Sequence, residues 1–311
     1  MNILLATDGS ACSQLSETLL AKLPRAAGAT VHVATAVPAP AVMMASLQPI
    51  GAYSMIEQAD LLWKAHHDRG TTVVREAGER MRAAGFETKE VVLDGDIGSV
   101  LLDYAHEHAI DLIAVGSRGE GAFKAFFLGS VARRLVAYSE CSVLVARGEE
   151  KTTPEEHIAR LAAKERLTIV VAVDGSNGAA ASLQSVMDAG PDRFAKGIAV
   201  CAAPLSLVPA GLDPILFGET YGYDVESGNT IAADAAEKLR ASCSETSAVM
   251  ELDRPSNLLF EVARKEDADL IVIGATRHGA VERFLLGSVS FEVASGAPCS
   301  VLVVRPPKTP Q

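Results

Sequence analysis

The chain has 311 residues, enough for two domains of roughly 150 residues, each with its own core. An apolar content of 49% with 22% charged residues fits a soluble globular protein and not a disordered one. A net charge of −11 and a pI near 5.2 argue against nonspecific nucleic-acid binding, which needs clustered Lys and Arg; a phosphate site built from uncharged backbone amides stays open.

The opening MNILLATDGS has a short apolar run and no basic leader, so no signal peptide is expected. NILLAT reads as a strand that ends at the Asp8-Gly9-Ser10 turn. Leu15, Leu19 and Leu23 then stand one turn apart, which predicts a helix over residues 14–23. TVHVATAV is a second strand. Residues 33–56 carry no charge over a length that could span a bilayer. Pro38, Pro40 and Pro49 interrupt that stretch, and no membrane insertion is expected. TKEVVL, DLIAVG and SVLVA are the next strands, with a helix over 99–108 that begins at Ser99 as cap and another over 131–138. Most strands are short Val- and Leu-rich runs of the kind buried on both faces of a parallel sheet.

The charge-rich run over residues 148–166 is the expected linker. In it Thr153, Pro154 and Glu156 form a capping box with proline at the first helical position, so a short helix with Ile158 and Leu161 on one side is expected. Beyond it, TIVVAV, GIAVCAA, AVMELD, DLIVIG and SVLVVR repeat the strand series in the same order.

The two halves are copies. GSRGEGAFKAFFLGS (residues 116–130) recurs as GATRHGAVERFLLGS (274–288), and Gly116/Gly274, Gly129/Gly287, Ser130/Ser288 and Cys141/Cys299 are all 158 apart. Asp8 and Asp174 are 166 apart, so the first copy holds eight extra residues between its Asp-Gly-Ser turn and its glycine loop. The chemistry follows from position. In an open parallel sheet the ligand crevice lies beyond the carboxyl ends of the strands, where strand order reverses. The turns after strands 1 and 4 should therefore face each other. Gly116 and Gly119 let backbone approach a ligand, and Gly129 and Ser130 open a helix whose N–H groups suit phosphate oxygens, the Ser130 hydroxyl capping the helix or bonding a phosphate. Asp8 would serve the opposite, base or ribose, end. Read alone, Gly-Ser before a helix is ordinary capping and Asp-Gly-Ser an ordinary turn; their joint placement at strand ends favours a nucleotide crevice.

Other signals are weaker. The glycines of GSRGEG are in the wrong order for a dinucleotide fingerprint, and Lys124 is not followed by Ser or Thr as a Walker lysine would be. His66–His67 and His106/His108 lack helical metal spacing, so no metal site is expected. The five cysteines (12, 141, 201, 243 and 299) are odd in number and without CxxC spacing, which predicts free thiols in a cytoplasmic protein. Cys12, just inside a helix start, reads as packed or silent.

The pattern G-2x-G-9x-G-S at Gly116, Gly119, Gly129 and Ser130, with Asp-Gly-Ser after strand 1 and the closing CSVLVAR strand, resembles the universal stress protein family over nearly the whole chain. The resemblance implies two tandem α/β domains, residues 1–147 and 167–311. Each would be a doubly wound five-stranded parallel sheet of order 3-2-1-4-5, the Rossmann-like fold of adenine-nucleotide binders. It also implies ATP, with Mg2+ as accompanying ion. Asp8 and Ala36 would then face adenine, Val115 and Gly116 the adenosine, and Arg118, Gly119, Gly129, Ser130 and Val131 the phosphates. Family domains commonly pair through their last strand, which implies an internal pseudo-dimer and a route to a homodimer.

The second copy departs from the pattern. Its counterparts are Asp174, Ala203, Gly274, Gly287, Ser288 and Val289, but Arg277 replaces the second glycine. An arginine there either fills the phosphate space or holds an anion through its guanidinium fork, and occlusion or altered binding is favoured. Asp253 in place of Gly95 indicates a different loop after strand 3. The expected function is a cytoplasmic stress-response regulator that holds ATP in domain 1, with little or no hydrolysis because no general base or arginine finger can be assigned. Its protein partner is unknown. The alternative is a nucleotide-independent scaffold or small apolar ligand binder. It would act through the apolar, proline-bearing segments after strand 2, PAPAVMMASLQPIGAY and APLSLVPAGLDPILF, which otherwise simply pack on their own domains. An adenylating enzyme is disfavoured, since ATDGS stands where such enzymes show a Ser-Gly-Gly turn.

Overall fold

A computed structural model describes residues 1–24, 28–39, 52–119, 128–148, 152–203, 225–275 and 286–306. It divides into two compact units, Met1–Ala146 and Arg147–Gln311. In the first, β1 (Asn2–Ala6), β2 (Thr30–Val37), β3 (Glu87–Asp94), β4 (Leu112–Gly116) and β5 (Ser142–Ala146) alternate with α1 (Ala11–Lys22), α2 (Ala52–Ala83), α3 (Ile97–Glu107) and α4 (Ser130–Tyr138). Every strand pair is parallel and the order is β3-β2-β1-β4-β5, so the order reverses between β1 and β4. Leu4, Leu5, Ile113 and Leu144 are fully buried in the middle of the sheet, as double-faced burial requires.

The second unit begins with α5 (Pro154–Ala163), then runs β6 (Leu167–Ala172), α6 (Asn177–Met187), β7 (Phe194–Ala203), α7 (Val225–Leu239), β8 (Cys243–Leu252), α8 (Pro255–Lys265), β9 (Leu270–Gly274), α9 (Ser288–Gly296) and β10 (Ser300–Val304). Its parallel strands lie in the order β8-β7-β6-β9-β10, the arrangement of the first unit again. The α5 capping box is present, with Thr153 and Glu156 exchanging side-chain bonds to each other's N–H. The buried residues of α5 are His157 and Leu161, while Ile158 is only half-buried.

Strand register places the length difference between the copies. Asn2 pairs with Thr30 and Thr168 with Lys196, so the 166-residue offset still holds in the second strand. Gly9 lies against Val73 and Gly175 against Ile231, a 158-residue offset for those partners. The eight extra residues of the first copy therefore fall between β2 and the middle of α2. The same register makes Ala202 the counterpart of Ala36, which corrects the assignment of Ala203. Two helix starts also differ from expectation. Asp96, not Ser99, caps α3, accepting from both the N–H and the hydroxyl of Ser99. The N-cap of α4 is Gly129, with no side-chain cap, so Ser130 is the first helical residue and caps nothing.

Two polar features of unit 1 have apolar counterparts in unit 2. Glu17 on α1 is buried and accepts Arg80 Nε at 2.5 Å and Nη2 at 3.1 Å; Leu183 occupies its position in α6 and is buried too. Arg80→Ala strands the carboxylate and should cost about 2–3 kcal/mol in urea unfolding. This is below the full penalty of a broken buried pair, because the Arg80 side chain is 43% exposed and water can reach the site. Adding Glu17→Leu should restore most of the loss.

The second is a buried imidazole. His32 on β2 is 2% exposed, its Nδ1 lies 2.9 Å from the Tyr104 hydroxyl, and its Nε2 has no partner among the described residues. His108 stacks on Tyr104 with ring centroids 3.9 Å apart. Burial first, then Lys89 and His108, pushes the His32 pKa below 6.5. The unfolded chain thus binds a proton that folded His32 refuses, so stability is fully present above pH 6.5 and declines as pH falls below it. Melting temperatures between pH 8 and 5 should fall less steeply in His32→Gln than in the parent.

Candidate functional site

At the strand-order reversal of unit 1 lies a cavity of about 520 Å³. Its walls are the ends of β1, β2 and β4, the first turn of α4, and Ile97 and Leu101 of α3. All the residues expected in this copy border it: Asp8 and Ala36, then Val115, Gly116, Arg118 and Gly119, then Gly129, Ser130 and Val131.

Each wall has a local cause. Gly9, at φ +82°, turns the chain sharply after β1, and Asp8 Oδ1 accepts the Ser10 N–H at 3.0 Å to hold that turn. Ser10 in turn caps α1 by accepting the Ser13 N–H. Gly116 lies directly against α1: a Cβ there would sit 2.7 Å from the carbonyl carbon and oxygen of Cys12. The chain after β4 is pinned on both sides, since Ser117 N–H donates to Ala146 O at 2.7 Å and Ser117 O accepts from Gly129 N–H at 2.8 Å. That second bond brings the start of α4 to the crevice with its first N–H groups uncapped by any side chain. The α1, α3, α5 and α6 starts, by contrast, all carry side-chain caps.

Asp8 Oδ2 lies 2.6 Å from the position of a Cβ on Gly119, so the turns after β1 and β4 approach each other at one rim of the crevice. The sequence pattern overlooked three hydroxyls on the walls: Thr7, Ser13 and Ser117. Thr7 Oγ1 donates to Ser13 Oγ at 3.0 Å, and Ser13 Oγ donates to Ser10 O at 2.8 Å. A signal for Ser117 existed: two residues beyond Val115, it continues that residue's face of β4.

Unit 2 has a smaller counterpart of about 100 Å³. Asp174, Gly274 and Val289 border it, whereas Gly287 and Ser288 are not among its described lining residues. Asp174 Oδ1 accepts the Ser176 N–H at 2.9 Å, and Gly175 at φ +76° repeats the turn. The walls are bulkier, with Val200 and Ile273 where unit 1 has Ala34 and Val115. Val173 and Ala179 stand where unit 1 has Thr7 and Ser13, while Ser176 and Ser290 supply the hydroxyls of this wall. The loop after β8 differs as well. Asp253 keeps a negative φ and accepts the Arg254 N–H, where Gly95 has φ +144°. Arg277 and the greater part of both apolar segments after the second strands lie outside the described residues, as does Lys124.

Each unit is thus a doubly wound, Rossmann-like α/β sheet with a crevice at its switch point. The sequence profile of the universal stress protein family matches residues 1–147 and 165–305, and the chain belongs to that family of stress-response proteins. Universal stress protein Rv1996 of Mycobacterium tuberculosis is 27% identical over 329 residues, spanning all of this chain and 96% of that protein. A universal stress protein of Mycolicibacterium smegmatis is 26% identical over 195 residues, 63% of this chain but only 62% of its own length. Two solved structures share the fold. One is a universal stress protein from Archaeoglobus fulgidus (TM-score 0.58, 19% identity, 98% of both chains). The other is a putative universal stress protein from Pseudomonas aeruginosa (TM-score 0.60, 15% identity, 98% of this chain and 93% of that one). Among the described residues no helix is long and apolar enough to cross a membrane.

Proposed function

We propose that unit 1 holds an adenine nucleotide, ATP, and that the chain acts as a cytoplasmic nucleotide-dependent regulator of the stress response. The observation that carries this reading is the crevice itself: glycine backbone and an uncapped helix start on one cavity, with a carboxylate at the rim. At about 520 Å³ it falls within the roughly 300–1,000 Å³ of small-molecule sites, while the 100 Å³ counterpart does not. The N–H groups of α4 and the Arg118 guanidinium would take the phosphates. Mg2+ would come bound to those phosphates, since it needs few protein ligands when a nucleotide supplies oxygens.

Little or no hydrolysis accompanies binding in this reading. Asp8 is the sole carboxylate among the described residues that border the cavity, and it already anchors the β1 turn. A water-activating base would have to come from elsewhere, and phosphoryl transfer without one is slow. Unit 2, with its smaller crevice, does not share the ATP role in this reading. The direct test is mass spectrometry of small molecules released from denatured purified protein, followed by calorimetric titration with ATP. An adenine nucleotide in the released fraction, or calorimetric binding, is expected. Neither, at millimolar ATP, would overturn the reading.

A further inference from the structure

The crevice of unit 1 has a polar contact beneath one of its walls. His32, Ala34 and Ala36 share one face of β2, and the two alanines border the cavity. On α3, which packs on β2, Ile97 and Leu101 border it too. Tyr104 follows Leu101 by about one turn of that helix. His32 and Tyr104 therefore form the next rung below the cavity, with Nδ1 2.9 Å from the phenolic hydroxyl. Unit 2 builds the same rung from Ile198 and Val262, both buried. The fold does not require polar groups there.

Only the neutral imidazole suits this place. One ring nitrogen meets Tyr104, and the other, Nε2, is buried with no hydrogen-bond partner among the described residues. An imidazolium has two N–H donors, so the cation would bury one of them unpaired together with its charge. The neighbours do not compensate. Lys89 is the register partner of His32 on β3, and Leu4, its partner on β1, is apolar. His108 meets His32 edge-on, ring centroids 5.7 Å apart, while it stacks on Tyr104. The carboxylates of the surrounding elements are exposed to solvent: Glu87 on β3, Asp103 and Glu107 on α3, and Asp111 ahead of β4. Burial, then Lys89 and His108, accordingly holds the His32 pKa below 6.5.

We propose that protonation of His32 is a release switch for the nucleotide of unit 1: the charged ring parts from Tyr104, α3 lifts from β2, and the wall made by Ile97 and Leu101 opens. The proposal rests on the ATP reading of unit 1. Release stays local because α3 is lightly held. Its buried residues are Gly98, Leu101 and Ala105, so it detaches at lower cost than the sheet unfolds. The sign follows from linkage. Binding needs neutral His32, so affinity is full at high pH and falls, by up to about tenfold per pH unit, once pH drops below the His32 pKa.

The test is calorimetric titration of the full chain with ATP at pH 8 and pH 5, beside His32→Gln and His32→Ile, the latter copying unit 2. ATP itself takes up a proton over this range, an effect that cancels because parent and variants meet the same ligand. At pH 8 all three should bind within threefold of one another. At pH 5 the parent should have lost about tenfold more affinity than either variant. Hydrogen exchange of the ligand-free parent, corrected for intrinsic rates, should show α3 protection falling about tenfold relative to α1 between pH 8 and 5, and staying level in the variants. Losses of affinity that agree within twofold between parent and variants overturn the switch and leave the ATP reading intact. Protection of α3 that persists to pH 5 in the parent overturns it as well, whatever the variants do. A parent that binds no ATP at pH 8 overturns the ATP reading and the switch with it.

Discussion

Gly119→Arg is expected to abolish nucleotide binding in unit 1, weakening ATP by more than about 100-fold, or some 2.7 kcal/mol. The argument begins at the Cβ. At position 119 it would stand 2.6 Å from Asp8 Oδ2, closer than van der Waals contact permits. Asp8 cannot simply rotate aside, because its Oδ1 accepts the Ser10 N–H that holds the turn after β1. Yielding would sacrifice that bond, at about 1 kcal/mol. Beyond the Cβ, the guanidinium has the Asp8 carboxylate across the rim as a counter-charge, and pairing with it would draw the side chain over the mouth of the cavity. Gly119→Ala introduces the clash without the plug and should weaken binding far less. Calorimetry with ATP on both variants checks the expectation, with circular dichroism to confirm that the sheet is intact. An affinity for Gly119→Arg within threefold of the parent would count against this account. The substitution also copies the second repeat, which carries Arg277 at the matching place.

How much of this was legible beforehand depends on the range of the physics involved. The ten strands could be read because burial on both faces forces continuous Val and Leu runs and because the repeat shows each run twice, while their order came from the family resemblance. Asp8, Gly116, Gly119, Gly129 and Ser130 could be singled out from glycines and turns at strand ends, whereas Ala36, Val115, Arg118 and Val131 came only from the family resemblance. Residues whose meaning is set by a distant neighbour were not legible. Asp96 and Ser99 are both good caps, and only the backbone start of α3 decides that Asp96 is the cap and Ser99 its donor. Thr7 and Ser13 look like ordinary strand-end and helix residues until their mutual bond appears. Ala203 was a miscount: the 166-residue offset of Asp8 and Asp174 holds through the second strand and puts the counterpart of Ala36 at Ala202.

Gly274→Ala should be the most damaging single methyl in unit 2. A Cβ on Gly274 would lie 2.2 Å from the carbonyl carbon and oxygen of Gly178 and 2.8 Å from its Cα. Those are backbone atoms in the first turn of α6, so no rotamer change relieves the overlap, and α6 must lift from the end of β9. Overpacking usually costs about 1–3 kcal/mol, and the upper end or beyond applies where both sides are main chain. The reverse substitution is milder. A Cβ on Gly178 meets Ala275 O at 3.3 Å and Gly274 C only at 3.7 Å, a tight but tolerable contact. Unit 1 shows as much, since Cys12 holds the place of Gly178 opposite Gly116. The pair of glycines is thus asymmetric: the strand glycine is obligatory and the helix glycine only convenient. Hydrogen exchange should show protection of the β9 and α6 amides falling roughly 100-fold in Gly274→Ala, equivalent to about 3 kcal/mol, and by less than tenfold in Gly178→Ala. The sole tryptophan, Trp63, lies in unit 1, with its Nε1–H donating to Asp94 at 2.8 Å. Its fluorescence therefore reports whether damage made at β9 stays in the unit where it was made. Equal losses in the two variants would mean that close approach of main chain, the same device that lets Gly116 border the crevice of unit 1, does not govern this contact.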